Sequence, residues 1–376
     1  MSEQRTAIQL ISTGGIYGAE RALLELAGYL REQNWNSHVV ALEGRGAGDL
    51  VRLAAEQGLH AEAFVPDGRM AFRPMMRRLR ALLAEHPRAI LHSHGYKPDL
   101  LLGILGARSR LACVSTCHSW YSDTIKLKAL EIADKLVLRS FDHVVAVSDE
   151  IRSEVLRTVP EPRVTLINNG ISTPPADPRA RRQVRAEFNL PENCQVIVQV
   201  GRLAGSKRND LLIAALPRLQ RSTDTYVLLV GDGELRGVLA QDVAARGLEA
   251  RVIFCGYRPD SLRFLAAADA LVLSSDKEGL PITILEAMAS RCPIVATRVG
   301  AIGETLRDGV DGWLVPPGDA AALTCALNEV LAGPAQARLR AESAYHRFET
   351  QYSRAVMGRR YLQIYDAVWR ARGWIR

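Results

Sequence analysis

The 376-residue chain has few cysteines and no long apolar run, and each shortage removes a class of protein. Its six cysteines, at 113, 117, 194, 255, 292 and 325, stand apart without a CxxC pair. Cys113 and Cys117 have the spacing of a metal-ligand pair, but no second pair completes a zinc site. Most lie in apolar runs such as "RVIFCG" and read as buried free thiols of a reducing compartment. The opening "MSEQRTAIQLISTGG" lacks the basic segment and long apolar core of a secretory signal. The longest apolar stretch, near "LLLGILGA", falls well short of the ~20 residues that a spanning helix needs. A cytoplasmic protein is expected, able to lie on the inner face of a membrane but not to cross it. The sequence also has no D-x-D and no Gly-Lys-Ser/Thr, so a metal–diphosphate clamp and a Walker A loop are both missing. The net charge of +7 favours phosphates or an anionic surface, but it is too diffuse to imply nucleic acid.

What is present is a regular alternation. Hydrophobic residues at 48% and charged residues at 24% suit a packed globular chain, and the length suits two domains rather than one core. Strands are expected at "AIQLIS", "SHVVAL", "AEAFV", "AILHSH", "ACVST", "HVVAVS" and "VTLIN" in the first half. "QVIVQVG", "TYVLLVG", "RVIFCG", "ALVLSS", "CPIVAT" and "GWLVP" follow in the second. These runs are apolar on both faces and separated by helix-length amphipathic segments, the pattern of parallel sheets covered on both sides. Right-handed crossovers then give two doubly wound α/β domains facing a cleft, with ligands beyond the carboxyl ends of the strands. Pro, Gly and Asn cluster in "NNGISTPPADPRARRQ", which sets expected domains at 1–175 and 176–352. Residues 353–376 form a last amphipathic helix with no strand after it, expected to pack back on the first domain.

The loops after strands are the places to seek chemistry. In "STGGIYGAERALL", Gly14 and Gly15 let backbone approach a ligand at the start of a helix near Gly18, or simply make a tight turn. "VGDGELRG" imitates a dinucleotide fingerprint with one residue too many, so Gly231 reads as part of a glycine turn. "QVGRLAGSKRNDLL" places Arg202 and Lys207 at a strand end and a helix mouth. Cations there are disfavoured by the helix dipole unless an anion is bound. A diphosphate would supply that anion, a solvated pair being the plainer alternative. In "SSDKEGLPITILEAMAS", Glu278 falls in a loop and Glu286 in a helix that has Pro281 near its first position. Backbone donors over Gly279, Leu280, Pro281, Ile282 and Thr283 could face a phosphate. Glu286 could accept two ribose hydroxyls, and Glu278 could meet a sugar. Glu286 as a carboxylate complementing the dipole is the plain alternative.

Together these motifs resemble the retaining glycosyltransferases of family 4, which have the GT-B fold. The resemblance runs through "HSHGYKPD", "CHSWYSD", "VSDEIRSEVL", "INNGIS", "GRLAGSKRNDLL", "LLVGDGELR" and "VIFCGYRPD". It is most specific in "EGLPITILEAMASRCPIVATRVGAIGETLRDGVDGWLVPPGD", where seven residues separate the two glutamates. It implies that Arg202 and Lys207 bind the donor diphosphate, Glu286 the ribose, and Glu278 with the 279–283 backbone the transferred sugar. It further implies that Gly15 approaches the diphosphate, Tyr257 flanks the base and His118 lies beside the sugar. By itself a lone histidine after a strand would read as structural. Transfer with retention by same-face attack, no metal and no cofactor is implied, with a nucleotide-diphosphate sugar as donor substrate. Where many relatives carry Phe-Gly after the first glutamate, this chain has "GLP", which bears on sugar selection.

The resemblance also implies a glycan or lipid-linked acceptor. Arg69, Arg73, Arg77, Arg78 and Arg80 alternate with Met, Phe and Leu in "GRMAFRPMMRRLRALLAEHPR", an amphipathic pattern that suits either an anionic lipid surface or an ordinary surface helix. Other uses of the architecture are an epimerase, a phosphorylase or a non-catalytic nucleotide-sugar-binding protein. No pyridoxal-phosphate lysine site of a phosphorylase is identifiable.

Overall fold

The computed structural model describes residues 4–42, 46–64, 72–106, 111–118, 125–173, 177–220 and 224–375. The chain divides into two compact units, one of Met1–Ser172 with Ser353–Arg376 and one of Thr173–Tyr352. The break expected after residue 175 therefore falls three residues earlier, and the chain returns to the first unit at Ser353.

The first unit holds strands β1 (Thr6–Ile11), β2 (Asn36–Ala41), β3 (His60–Ala63), β4 (Ile90–His94), β5 (Ala112–Cys117), β6 (His143–Ala146) and β7 (Val164–Leu166). The second holds β8 (Gln195–Val200), β9 (Thr225–Val230), β10 (Val252–Gly256), β11 (Ala270–Leu273), β12 (Ile294–Thr297) and β13 (Trp313–Val315). Every expected strand has its counterpart. The orders are β3-β2-β1-β4-β5-β6-β7 and β10-β9-β8-β11-β12-β13, and all pairings within them are parallel. The chain turns back between β1 and β4 in one sheet and between β8 and β11 in the other. Those are the topological switch points, where the loops leaving adjacent strands diverge and open a crevice.

Strand residues such as Ile8, Leu10, Val40, Ile197, Val227 and Leu271 are buried, because helices cover both faces. The expected basic helix is present at Phe72–Glu85. Met75, Met76, Leu79 and Leu82 are buried in the first unit's core with Leu10, Val40 and Leu91. That apolar face is thus already used in packing. Arg73, Arg77, Arg78 and Arg80 remain exposed, so only the arginine face could meet an anionic surface. Arg69 lies outside the described residues. No helix among the described residues is long and apolar enough to cross a membrane.

The last helix, Arg354–Ala371, belongs to the first unit. Met357, Tyr361, Ile364, Tyr365, Val368 and Trp369 recur at helical spacing and pack with Ala7, Leu26, Leu30, Trp35, Ile90 and Val114. Each large apolar side chain so buried contributes about 1.5–3 kcal/mol. The partly exposed pair of Arg354 with Glu32 belongs to a class worth at most about 1 kcal/mol. Packing therefore decides the docking. Close approach to helix Gly18–Glu32 needs Gly358, where an added Cβ would stand 2.1 Å from Tyr29 Cδ1.

Candidate functional site

In the second unit the switch point brings two predicted residues into contact. Lys207 lies in the single turn Gly205–Lys207 after β8, and Glu278 in the loop after β11. Lys207 Nζ pairs with Glu278 Oε1, and Ser275 Oγ donates to the same oxygen at 2.6 Å. The Glu278 side chain is only 9% exposed, so its charge depends on these donors rather than on water. Thr297, at the end of β12, fixes the loop below by donating to Ser275 O at 2.6 Å.

Backbone geometry supports the same place. Arg208 has φ +48°, a left-handed conformation rare for a side-chain residue, and its guanidinium holds Asp210 at 3.0 Å and Asp276 at 3.2 Å. Asp276 N donates to Ser206 O at 2.8 Å, and Ser274 Oγ donates to Arg208 O at 2.8 Å. The loops after β8 and β11 are thus laced together. Two glycines let a further loop pack against each of them: a Cβ on Gly231, after β9, would lie 1.9 Å from Gly201 O after β8, and one on Gly300, after β12, 1.8 Å from Glu278 O after β11. Both have positive φ, at +139° and +49°.

The other predicted residues spread around this centre. Arg202 is 64% exposed and pairs with Glu234 at 3.1 Å. Tyr257, after β10, is exposed at 73%. Gly279 is exposed, and its carbonyl accepts from Ala301 N at 3.3 Å. Leu280 and Thr283 are half-buried, and Ile282 and Glu286 are buried on helix Ile282–Ala289. The helix begins one residue later than expected: Pro281 is its cap, with ψ 123°. Pro281 has no N–H, so it cannot be among the backbone donors. Ser275, Arg208 and Gly300 were not singled out from sequence. Their signal lay inside motifs already quoted, but no spacing rule distinguishes a loop serine that holds a carboxylate.

In the first unit, helix Gly18–Glu32 starts where expected, and Thr13 Oγ1 and Gly15 exchange hydrogen bonds within the preceding turn. Neither Gly14 nor Gly15 has a positive φ, so the turn does not need glycine for its dihedrals. The room they leave is used at Gly15 by the Tyr17 ring, 2.9 Å from an added Cβ. A pocket of about 250 Å³ opens here between the ends of β1 and β4, lined by residues that include Ser12, Thr13, Gly14, His94 and Lys97.

His118, just past β5, is joined to a buried network that sequence reading did not find. His118 Nε2 lies 3.1 Å from His94 Nδ1, His94 Nε2 lies 2.9 Å from Gln9 Oε1, and Gln9 Nε2 donates to Tyr365 Oη at 3.1 Å. Tyr365 Oη lies 2.6 Å from His92 Nδ1, His92 Nε2 2.7 Å from Thr116 Oγ1, and Thr116 Oγ1 2.8 Å from Tyr361 Oη. Burial disfavours the imidazolium form throughout. It lowers His118 to about 4 and, with His118 nearby, His92 to about 3. His94 is held well below the usual histidine range by burial and by both neighbours. All three rings are neutral at pH 7. Among the described residues no cluster of three or more His, Cys, Asp or Glu could hold a metal ion.

Two family models match the chain: Glycosyltransferase Family 4 over residues 16–174 and Glycosyl transferases group 1 over residues 180–347. The chain is 34% identical over 180 residues to the lipopolysaccharide core biosynthesis glycosyltransferase LpsE of Rhizobium meliloti, covering 48% of this chain and 52% of that one. It therefore spans about half of that relative's length. It is 31% identical over 274 residues to a GDP-mannose-dependent alpha-(1-6)-phosphatidylinositol monomannoside mannosyltransferase of Mycolicibacterium smegmatis, covering 69% and 72%. Among solved structures, Anabaena Alr3699/HepE in complex with UDP and glucose superposes with a TM-score of 0.84 at 20% identity, covering 97% and 100%.

Proposed function

The chain belongs to the glycosyltransferases of family 4, and from that membership we propose that it moves a sugar from a nucleotide-diphosphate sugar to a hydroxyl of a glycan or lipid-linked acceptor. One observation carries the reading. Lys207 and Glu278, 71 positions apart, meet at the β8/β11 switch point, where a doubly wound sheet binds its ligand. The loop there is held by Ser275, Asp276 and Arg208, and its cation needs only to exchange one anionic partner for another.

In this reading Lys207 and Arg202 receive the diphosphate and stabilise the charge that grows as the glycosidic bond breaks. Glu278, freed from Lys207, meets the sugar together with the backbone of Gly279, Leu280, Ile282 and Thr283. Glu286 takes the ribose, and Gly231 and Tyr257 border the base. Gly14, Gly15 and His118 of the first unit serve the phosphate and sugar. Transfer proceeds with retention of the anomeric configuration by attack on the face that the diphosphate leaves. It needs no metal, since Lys207 and Arg202 supply the positive charge and the sequence has no D-x-D. The enzyme works in the cytoplasm and reaches lipid-linked acceptors at the inner face of the membrane, with the exposed arginines of helix Phe72–Glu85 towards anionic headgroups.

Thermal-shift screening of UDP, GDP, ADP and their sugars identifies the donor, because a ligand that binds only the native state raises the midpoint. One nucleotide series is expected to stabilise the chain, with its sugar form turned over in the presence of EDTA. No shift with any of them would remove the donor site. Inversion of the anomeric centre in the product, read by NMR, would remove the retaining mechanism alone.

A further inference from the structure

The polar network inside the first unit has a direction, and Gln9 fixes it. An amide has one end that only donates and one that only accepts. Gln9 Nε2 donates to Tyr365 Oη, so Gln9 Oε1 accepts from His94 Nε2. A neutral imidazole carries one N–H. With the proton of His94 on Nε2, its Nδ1 is an acceptor, and His118 Nε2 at 3.1 Å must be the donor. His118 is left with a bare lone pair on Nδ1.

The rest of the chain agrees. Tyr365, having accepted from Gln9, gives its hydrogen to His92 Nδ1 at 2.6 Å. His92 then donates from Nε2 to Thr116 Oγ1 at 2.7 Å, and Thr116 donates onward to Tyr361 at 2.8 Å. Every hydrogen points away from His118. His118 Nδ1 is itself buried and has no hydrogen-bond partner within the described residues. A buried acceptor without a donor is unfavourable, and a ligand hydroxyl removes that cost.

We propose that Gln9, His94 and Tyr365 are positioning residues that lock His118 in the tautomer whose Nδ1 accepts a hydrogen bond from a hydroxyl of the transferred sugar. This rests on the glycosyltransferase reading above. It also states a specificity. A lone pair attracts a hydroxyl and repels carboxylate or phosphate oxygens, so the site takes a neutral sugar with a hydroxyl at that position and rejects a uronate or deoxy sugar there. Tyr365 lies on Arg354–Ala371, so the returning helix acts on the site through hydrogen bonds rather than by contact with ligand.

The test uses the full chain labelled with ¹⁵N in its histidines, with His118 assigned by His118→Asn. Long-range ¹H–¹⁵N spectra distinguish a bare imidazole nitrogen from an N–H without any substrate. At pH 7 the expected result is a bare Nδ1 and a protonated Nε2. A proton on Nδ1, which a turned-over Gln9 amide would produce by reversing every bond, overturns the inference even if the enzyme is active. Tyr365→Phe keeps the ring and releases Gln9. It is expected to give His118 a mixture of tautomers and to lower kcat/KM about tenfold, mainly through KM. Among monodeoxy donors, the one lacking the contacted hydroxyl should be used equally by both proteins. A changed tautomer with unchanged kcat/KM would overturn the role in sugar binding. A bare Nδ1 in a chain that binds no sugar nucleotide would overturn that role together with the functional reading, and leave the tautomer assignment standing.

Discussion

The two units prepare polar groups for a ligand in opposite ways. At the β8/β11 end, Lys207 and Glu278 hold each other as an ion pair, with side chains 22% and 9% exposed. In the first unit, His92, His94 and His118 are stripped of charge by burial and held by neutral hydrogen bonds. The first arrangement suits a ligand that brings charge, because the ion pair can open and re-form around a diphosphate. The second suits a ligand that brings hydroxyls, because its donors and acceptors are set in advance and cost nothing to reorganise. On the function proposed above, one unit would read phosphate by charge and the other sugar by tautomer.

The sharpest way to break this contrast is Glu278→Gln. Turnover of the sugar nucleotide is expected to fall at least ~10³-fold, the scale of losing an essential polar group at the reacting centre. Affinity for the nucleoside diphosphate should hold or rise, since Lys207 no longer has a competing carboxylate. Calorimetric titration checks it, and weakened diphosphate binding would show that Glu278 is no competitor. Lys207→Ala comes next. Loss of a charged hydrogen bond of about 1.5–3 kcal/mol should weaken diphosphate binding roughly ten- to a hundredfold. Turnover should drop as well. Equal affinity in the two proteins would place the phosphate elsewhere.

Acid should then separate the units. The buried histidines have folded pKa values below the ordinary 6.5, so between 6.5 and about 4 the unfolded chain binds protons that the native one refuses. Their contribution to stability is therefore present at pH 7 and drains away as pH falls through that window. Asp311 of the second unit behaves otherwise. Burial alone would raise it, but Arg307 at 2.8 Å and Ser343 at 2.8 Å hold it below the carboxylate range. Its stabilisation persists until the pH drops below about 4. Denaturant midpoints followed by probes in each unit should show the first unit softening first, and a common transition from pH 7 to 4 would cancel the contrast. The smallest effect is expected for Arg202→Ala. Arg202 is largely exposed and paired with an exposed Glu234, so diphosphate affinity should fall only a fewfold. A loss as large as that at Lys207 would mean that Arg202 is drawn inward by the ligand.

The pattern of legibility follows the same division. Arg202, Lys207, Glu278 and Glu286 could be read because each lies in the loop or helix that follows a buried strand, beside glycines and prolines that stand out. Pro281 was read one position out of place because a proline fits the cap as well as the first turn. The apolar face of Phe72–Glu85 could not be assigned from its pattern, since lipid and protein core ask for the same stripe of Met and Leu. The histidine network was invisible. Gln9, His92 and Thr116 are polar residues inside strands, and their partners Tyr365 and Tyr361 lie on the last helix, Tyr365 following Gln9 by 356 positions.

Sequence alone determined the two parallel sheets, their strands and the loops that carry the charged residues. Hydrophobic periodicity and turn chemistry act over a few neighbouring residues and need no knowledge of the rest of the chain. Only the tertiary structure decided which carboxylate faces which cation, that Gly231 and Gly300 each let a neighbouring loop come into contact, and which buried groups His118 joins. Those outcomes depend on distances between segments far apart in the chain, and burial sets their energies only once the units have packed.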